Sequence, residues 1–414
     1  MKRLKWSISG LYNGIWGDEP DGENDIICIR VADFDRVRRS VISEPPTIRS
    51  VNSDYREQRV LRKGDLLIEK SGGGDNQLVG CVVHFDHDFE AVCSNFVARI
   101  PLQEAMVPQY WNYVHSSIYS ARLNFPAIKQ TTGIQNLDAE AYFKIEAAFP
   151  PAQEQSVIAN YLDRETARID ALIAEKERML ALLEEKRAAL ISHAVTRGLD
   201  TNAPLKPSGQ EWLGEIPAHW RVERAKNLFT VRDERSDDGS EELLTVSHIT
   251  GVTSRSEKDV NMFLADDKAG YKRCMPGDLA INTLWAWMGA MGISPLAGIV
   301  SPDYHVYTSK GELLSDYVDL LCRSRPFVAE VSRWSKGVWS SRLRLYPENF
   351  FEMRLPVPPQ GEQLDIIRAI ETNQRKANTL RDSLQLSITL AKERRAALIT
   401  AAVTGQVPLE AMQP

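Results

Sequence analysis

The chain has 414 residues, and its 43% hydrophobic and 26% charged content is typical of a globular protein with two or three domains. It contains no run of about 18 apolar residues, so we predict no membrane span. Its start, Met1 to Trp6, lacks the apolar stretch of a signal peptide, and we expect a cytoplasmic protein. The formal net charge of −6 does not favour nucleic acid unless basic residues gather on one face. Five scattered cysteines without zinc-ligand spacing predict reduced, buried thiols.

The first globular region is predicted to span residues 1–149. Apolar runs predict strands at 26–31, 66–70, 79–85 and 93–100, and a helix at 108–123. Ser71-Gly72-Gly73-Gly74 follows the second strand but lacks the spacing and the following helix of a dinucleotide fingerprint. A plain turn and a close approach of backbone to a partner are equally good interpretations of this loop. No acidic residue occurs from Ala105 to Leu137.

A long helix is predicted to follow, and it occurs twice. Residues 150–196 and 358–404 align without a gap and share 16 identities in 47 positions, which indicates an internal duplication. Apolar side chains recur every seven residues in both copies, apart from Lys176, so each helix is expected to pack lengthwise on another. Each would be about 45 residues, or ~68 Å, long. An ordinary long core helix is the alternative, but it would need neither this length nor a duplicate.

The second globular region follows a linker at 198–209 and runs to about Val357. Its Pro276-Gly277-Asp278 element repeats Lys63-Gly64-Asp65 of the first region. The two regions diverge afterwards, because Leu284-Trp285-Ala286-Trp287 stands where the first has the glycine loop. Residues 323–344 hold six basic residues and one acidic residue, with two tryptophans among them.

The sequence shows no catalytic constellation. It lacks the Asn/Asp-Pro-Pro-aromatic tetrapeptide of amino-methyltransferases, and it has no P-loop. His84 and His87 have no third ligand nearby, so surface residues are a better interpretation than a metal site.

The acid-free stretch 105–137 and the basic stretch 323–344 are the best candidates for a DNA interface. Lysine and arginine neutralise phosphates, while Ser, Asn, Gln and Arg side chains can read base edges. For the stretch 323–344 an equally good interpretation is that Trp334 and Trp339 lie in the hydrophobic core and that the charged side chains are only solvated. The predicted DNA-binding residues are Lys70, Gly72, Gly73, Arg122, Lys129, Gln130, Thr132, Trp285, Arg333, Lys336, Trp339, Ser341 and Arg342.

The duplicated segments resemble the specificity subunit of type I restriction–modification systems (the HsdS family). The resemblance rests on Pro150-Pro151…Glu154-Gln155…Ile158-Ala159…Tyr161-Leu162-Asp163, Glu185 to Ile191, Ala194 to Gly198, Pro207-Ser208-Gly209…Glu211 to Pro217…His219-Trp220, Pro358-Pro359…Glu362-Gln363 and Ala402 to Gly405. One departure is visible, since the Trp212 to Pro217 segment that opens the second region has no counterpart in the first.

This resemblance implies an α+β fold: two mixed α/β target recognition domains separated by two long antiparallel helices in a coiled coil, with a pseudo-two-fold repeat. The domains would be 1–149 and 199–357, the spacer helices 150–198 and 358–405, and the tail 406–414. The resemblance implies a non-catalytic chain in which each recognition domain would read one half of a split site in double-stranded DNA. Because the two regions differ in their basic segments, we expect that site to be asymmetric. Two methyltransferase subunits and restriction (motor) subunits would be its partners, and the helices would set the gap between half-sites. S-adenosylmethionine, ATP and Mg are expected on those partners, with no cofactor or metal in this chain. The alternatives are the DNA-reading subunit of a related two-part nuclease–methyltransferase, or a coiled-coil scaffold that binds no DNA.

Overall fold

A computed structural model of the chain describes residues 1–74, 77–131, 133–257, 267–337 and 343–413. The chain forms two compact units. The first comprises Met1–Glu177 and Leu386–Pro414, and the second comprises Arg178–Gln385. Each unit therefore contains part of both duplicated segments. The domain limits at 149, 198, 357 and 405 remain predictions.

Before the first long helix, the first unit is built from strands and short helices, and the residues of that long helix after Glu177 belong to the second unit. The strands are β1 (Lys2–Arg3), β2 (Tyr12–Asn13), β3 (Asp25–Ile29), β4 (Phe34–Asp35), β5 (Ser40–Val41), β6 (Ile48–Ser50), β7 (Leu66–Glu69), β8 (Ser71–Gly72), β9 (Val82–His84), β10 (Ala91–Cys93), β11 (Val97–Ile100), β12 (Ile128–Thr131), β13 (Ile134–Leu137) and β14 (Glu146–Ala147). The helices are α1 (Ser53–Arg56), α2 (Pro108–Ser120), α3 (Ala139–Tyr142) and α4 (Ala152–Arg197). A six-stranded sheet, ordered β2-β11-β7-β9-β5-β4, carries the core, and a three-stranded sheet, ordered β12-β13-β8, extends from it.

The following part of the chain carries strands and short helices and then the second long helix, whose residues after Gln385 belong to the first unit. The strands are β15 (Leu205–Pro207), β16 (Glu215–Pro217), β17 (Arg221–Arg224), β18 (Phe229–Val231), β19 (Leu244–Ser247), β20 (Gly251–Ser254), β21 (Lys272–Cys274), β22 (Leu279–Asn282), β23 (Met291–Ile293), β24 (Gly298–Val300), β25 (Tyr304–Ser309) and β26 (Arg354–Val357). The helices are α5 (Ala225–Leu228), α6 (Ser315–Arg323), α7 (Arg325–Trp334), α8 (Pro347–Glu352) and α9 (Gln360–Val403). A four-stranded sheet has the order β18-β25-β22-β23.

The same antiparallel arrangement of four strands lies at the centre of each unit. The run β2-β11-β7-β9 in the first corresponds to β18-β25-β22-β23 in the second. The repeated Gly-Asp element explains part of this likeness. Asp65 precedes β7 and forms a buried ion pair with Arg99 at 2.6 Å, and Asp278 precedes β22 and pairs with Arg232 at 2.7 Å. Each carboxylate also accepts a backbone N–H three residues upstream, from Arg62 and Met275 respectively, which fixes the turn before the strand.

The two predicted long helices are confirmed. Helix α4 has 46 residues and α9 has 44. Within the first unit they run antiparallel, since Asp170 bonds to Arg395 at 2.9 Å and the later Glu177 pairs with the earlier Lys392 at 3.6 Å. Within the second unit, residues of both helices enter one apolar core, among them Ile191 of α4 and Ile366 of α9. The mixed α/β fold class predicted from the sequence is therefore correct.

A buried glutamine explains the repeated Pro-Pro-x-x-Glu-Gln motif. Gln155 donates to the Pro150 carbonyl at 2.8 Å and accepts the N–H of Val107, the residue before α2, at 2.9 Å. Gln363, 208 positions later, donates to the Pro358 carbonyl at 2.9 Å and accepts the N–H of Leu314, the residue before α6, at 2.8 Å. In each unit one side-chain amide thus ties the start of a long helix to the start of a shorter one.

Candidate nucleic-acid interface

Five of the predicted residues of the first unit meet on one small sheet. Leu137 at the end of β13 donates its N–H to the carbonyl of Lys70 at 2.8 Å, immediately after β7. Strand β8 pairs Gly72 with Gln135, and Gly73 follows it. Strand β12, with Lys129 and Gln130, pairs with the other edge of β13. The structure therefore brings Lys70, Gly72, Gly73, Lys129 and Gln130 together.

One face of this sheet carries a row of polar side chains. Directly opposed residues of antiparallel strands share a face, and Asn136 lies opposite Ser71 on β8 and Lys129 on β12. The Ser71 hydroxyl donates to Asn136 Oδ1 at 2.6 Å, and Lys129 Nζ lies 2.7 Å from Asp138 Oδ2. That contact raises the pKa of Lys129 and lowers the pKa of Asp138. The row combines a cation with hydrogen-bonding groups, which is the chemistry that phosphates and base edges require.

The glycine loop, Ser71 to Gly74, packs closely against other residues of the same unit. Gly73 has φ +68°, and a Cβ built there would lie 2.8 Å from the Gln135 side-chain oxygen and from the Gln77 carbonyl. Gln135 is buried, accepts the Val79 N–H at 3.0 Å and donates to the Gly74 carbonyl at 3.1 Å. These contacts favour the turn interpretation of the loop, and a DNA contact by Gly72 or Gly73 stays a prediction.

A buried ion pair that sequence reasoning missed lies beside this loop. Glu69 ends β7 with a fully buried side chain, and Arg36 donates to it at 2.8 Å. Burial raises the pKa of the Glu69 carboxyl, while the neighbouring Arg36 opposes that shift. The two residues are 33 positions apart, so only the folded strand order reveals the pair.

In the second unit the corresponding position carries tryptophans. Trp285 is half exposed, and its ring lies 6.3 Å from the ring of Trp287 in a stacked arrangement. Just before it, the Thr283 carbonyl accepts the Leu345 N–H at 3.3 Å. Lys336 and Arg344 exchange two backbone hydrogen bonds of 2.9 Å and are both exposed. Trp285, Lys336 and Arg344 thus lie close to the end of β22.

The structure gives Arg333 two acidic neighbours. Its guanidinium lies 2.9 Å from the buried carboxylate of Glu330 and 3.1 Å from Glu211. Trp334 donates to the same Glu330 at 2.7 Å and packs against the core. For Trp334 the core interpretation is therefore correct, and a DNA contact by Arg333 is untested.

The remaining predicted residues divide into two groups. Arg122 is exposed in the turn after α2, with φ +55°. Thr132, Trp339, Ser341 and Arg342 lie outside the described residues.

Metal and membrane sites are absent from the part of the chain that the structure describes. No group of three His, Cys, Asp or Glu side chains there could hold a metal ion, and no helix there is long and apolar enough to cross a membrane. The surface interpretation is wrong for His84, which is buried, and burial lowers its pKa. His87 contacts the Val41 carbonyl at 3.1 Å. All five cysteines are buried thiols, as predicted.

Two solved structures share this fold. A chain of a type I restriction–modification assembly is 14% identical with a TM-score of 0.71, and the match covers 98% of this chain and 97% of that one. The HsdS subunit of Thermoanaerobacter tengcongensis is 13% identical with a TM-score of 0.53, covering 98% and 96%. The fold is therefore that of the HsdS class of subunits.

Two characterised relatives belong to the same class. The specificity subunit of the StySPI type I restriction enzyme of Salmonella potsdam is 25% identical over 147 residues. That match covers 35% of this chain and 31% of the relative, so it spans about a third of each. The specificity subunit of the EcoKI type I restriction enzyme of Escherichia coli (strain K12) is 18% identical over 369 residues, covering 85% and 76%. No family model matches the chain.

Proposed function

We propose that this chain is the DNA sequence-specificity subunit of a type I restriction–modification complex. Each unit reads one half of a bipartite, asymmetric target in double-stranded DNA, and the chain itself is non-catalytic. The observation that carries the proposal is the presence, in each unit, of exposed polar and basic side chains beside the end of the central strand, β7 or β22. The shared fold and the similarity to the StySPI and EcoKI specificity subunits support it.

The asymmetry of the target follows from the different chemistry of the two units. The first unit presents Lys129, Asn136 and Ser71 on a three-stranded sheet. The second presents Trp285 with Lys336 and Arg344. Because the donors, acceptors and aromatic surfaces differ, the same base sequence does not suit both units.

The long helices are the proposed assembly site for partner subunits. Two methyltransferase subunits bind them, and restriction subunits join the assembly. S-adenosylmethionine, ATP and Mg reside on these partners. Exposed leucines on α4 and α9 support a docking role: Leu172, Leu182, Leu364, Leu380, Leu386 and Leu390.

A binding assay with and without a methyltransferase partner tests the proposal. Purified chain is mixed with duplexes that carry two randomised half-sites and a randomised gap, and bound duplexes are recovered at fixed salt and sequenced. A split, asymmetric consensus that strengthens when the methyltransferase is added supports the specificity role. Recovery of duplexes without any consensus, in both arms, contradicts it and favours the scaffold alternative.

A further inference from the structure

Asn136 and Arg344 occupy the same place in the two units. Each is followed by a leucine that donates its backbone N–H to the residue just after β7 or β22. Leu137 donates to the Lys70 carbonyl at 2.8 Å, and Leu345 donates to the Thr283 carbonyl at 3.3 Å. The two positions are separated by 208 residues, as are the two copies of the helical repeat. Leu137 and Leu345 are buried, and extended chain alternates its side chains between faces, so the residue before each leucine points outward. Both Asn136 and Arg344 are exposed.

The surroundings of Asn136 orient its carboxamide. It lies on the central strand of a three-stranded sheet, which limits its backbone movement. The Ser71 hydroxyl donates to Oδ1 at 2.6 Å, which fixes the orientation of the amide. The oxygen retains a second lone pair and the nitrogen carries two donors. An oriented carboxamide of this kind pairs with the N6 donor and N7 acceptor of adenine in the major groove.

The residue directly opposite Arg344 carries a charge of the same sign. Lys336 lies directly opposite it, and the two backbones exchange hydrogen bonds of 2.9 Å in both directions. Like charges directly opposite one another on an antiparallel pair destabilise that pair. The guanidinium fork matches O6 and N7 of guanine, and a lysine beside it suits the neighbouring phosphate.

We propose that Asn136 and Arg344 are the principal base-reading residues of the two units, with Asn136 selecting adenine and Arg344 selecting guanine. Ser71 is a positioning residue for Asn136, and Lys336 supplies a phosphate contact beside Arg344. The major groove of B-DNA is wide enough to admit a two-stranded β-ribbon. The inference rests on the proposed function and adds to it two residues and the base that each recognises.

The test compares variants of the full chain, assembled with its methyltransferase, on the same randomised duplexes. Asn136→Ala should relax the preference at one adenine of one half-site, and Arg344→Ala at one guanine of the other. Each loss of discrimination should be ~5- to ~150-fold, the fold-change that ~1–3 kcal/mol represents. Arg344→Lys keeps the charge but not the fork, so it should also relax the guanine preference. Ser71→Ala should weaken the adenine preference less than Asn136→Ala does.

Matched controls replace exposed residues elsewhere in each unit. Gln109→Ala on α2 and Arg354→Ala on β26 should leave the base preference at every position unchanged. A gain-of-function variant, Asn136→Arg, should exchange the adenine preference for guanine at the same position.

The outcomes separate this inference from the proposed function. If the wild-type assembly selects a split site but the Asn136 and Arg344 variants keep its full base preference, the inference is wrong while the function stands. An equal loss of binding to all sequences would make these residues phosphate contacts and would also overturn it. If the wild-type assembly selects no consensus, the proposed function itself fails.

Discussion

The two buried glutamines allow a quantitative prediction, because they perform the same task with different numbers of hydrogen bonds. Gln155 serves two backbone groups, the Pro150 carbonyl and the Val107 N–H. Gln363 serves three, the Pro358 and Glu312 carbonyls and the Leu314 N–H. Both side chains are buried, so a leucine in their place leaves these groups without a partner.

A backbone group left unpaired in a buried setting costs about 1–3 kcal/mol. At ~1 kcal/mol per group, Gln155→Leu should destabilise the first unit by about 2 kcal/mol and Gln363→Leu the second unit by about 3 kcal/mol. Urea unfolding at fixed pH gives the free energies. Hydrogen exchange measured by mass spectrometry assigns each loss to peptides around α2 or α6.

The exposed Gln153, in the same turn of α4 as Gln155, provides the control. Gln153→Leu should change the free energy of unfolding by less than ~0.5 kcal/mol, as surface substitutions usually do. A cost below ~0.5 kcal/mol for both buried variants would refute the reasoning. A larger cost for Gln155→Leu than for Gln363→Leu would refute the hydrogen-bond argument in particular.

Three further predictions concern pH, spacing and catalysis. Burial lowers the pKa of His115 from 6.5 to about 3. Below pH 6.5 this imidazole is therefore protonated in the unfolded chain but not in the folded chain, and the free energy of unfolding falls as the pH drops. Urea unfolding should show that the free energy of unfolding of the wild-type chain is about 2 kcal/mol lower at pH 5 than at pH 7, and that His115→Gln lacks this loss. An equal loss in the wild type and the variant would contradict the role of His115. Insertion of Leu-Glu-Ala-Lys after Met179 adds ~6 Å of helix and should lengthen the preferred gap by one or two base pairs. An unchanged gap in an active variant would mean that other elements set it. Purified chain alone should transfer no methyl groups to DNA, and transfer by the chain alone would refute the non-catalytic assignment.

The long helices could be predicted from the sequence because their signal is local and repeated. Heptad spacing, the absence of glycine and proline from Ala152 to Arg197, and 16 identities in 47 positions all point to the same structure. The Gly-Asp elements before β7 and β22 were recognised for the same reason. Their ion pairs were not, because Arg99 lies on β11 and Arg232 directly follows β18, both distant in sequence.

The candidate site could be predicted only in part, because its composition depends on strand register. Lys129 and Gln130 were found from the basic, acid-free stretch that contains them. Asn136 was missed because its exposure depends on which face of β13 points outward, and a shift of one residue would reverse that. Arg333 lies in a basic stretch but pairs with Glu211, 122 positions earlier, and local reasoning could not find that partner.

Mapping of methylated bases in a host's DNA tests the central claim most directly. The chain is expressed with its methyltransferase partner, and every modified position in the genome is sequenced, with the methyltransferase alone as control. A single asymmetric motif with two specified halves and a fixed gap, present only when this chain is expressed, is the predicted result. Methylation at a contiguous or unspecified sequence, or the same motif without this chain, would contradict the claim that its two units select the DNA target.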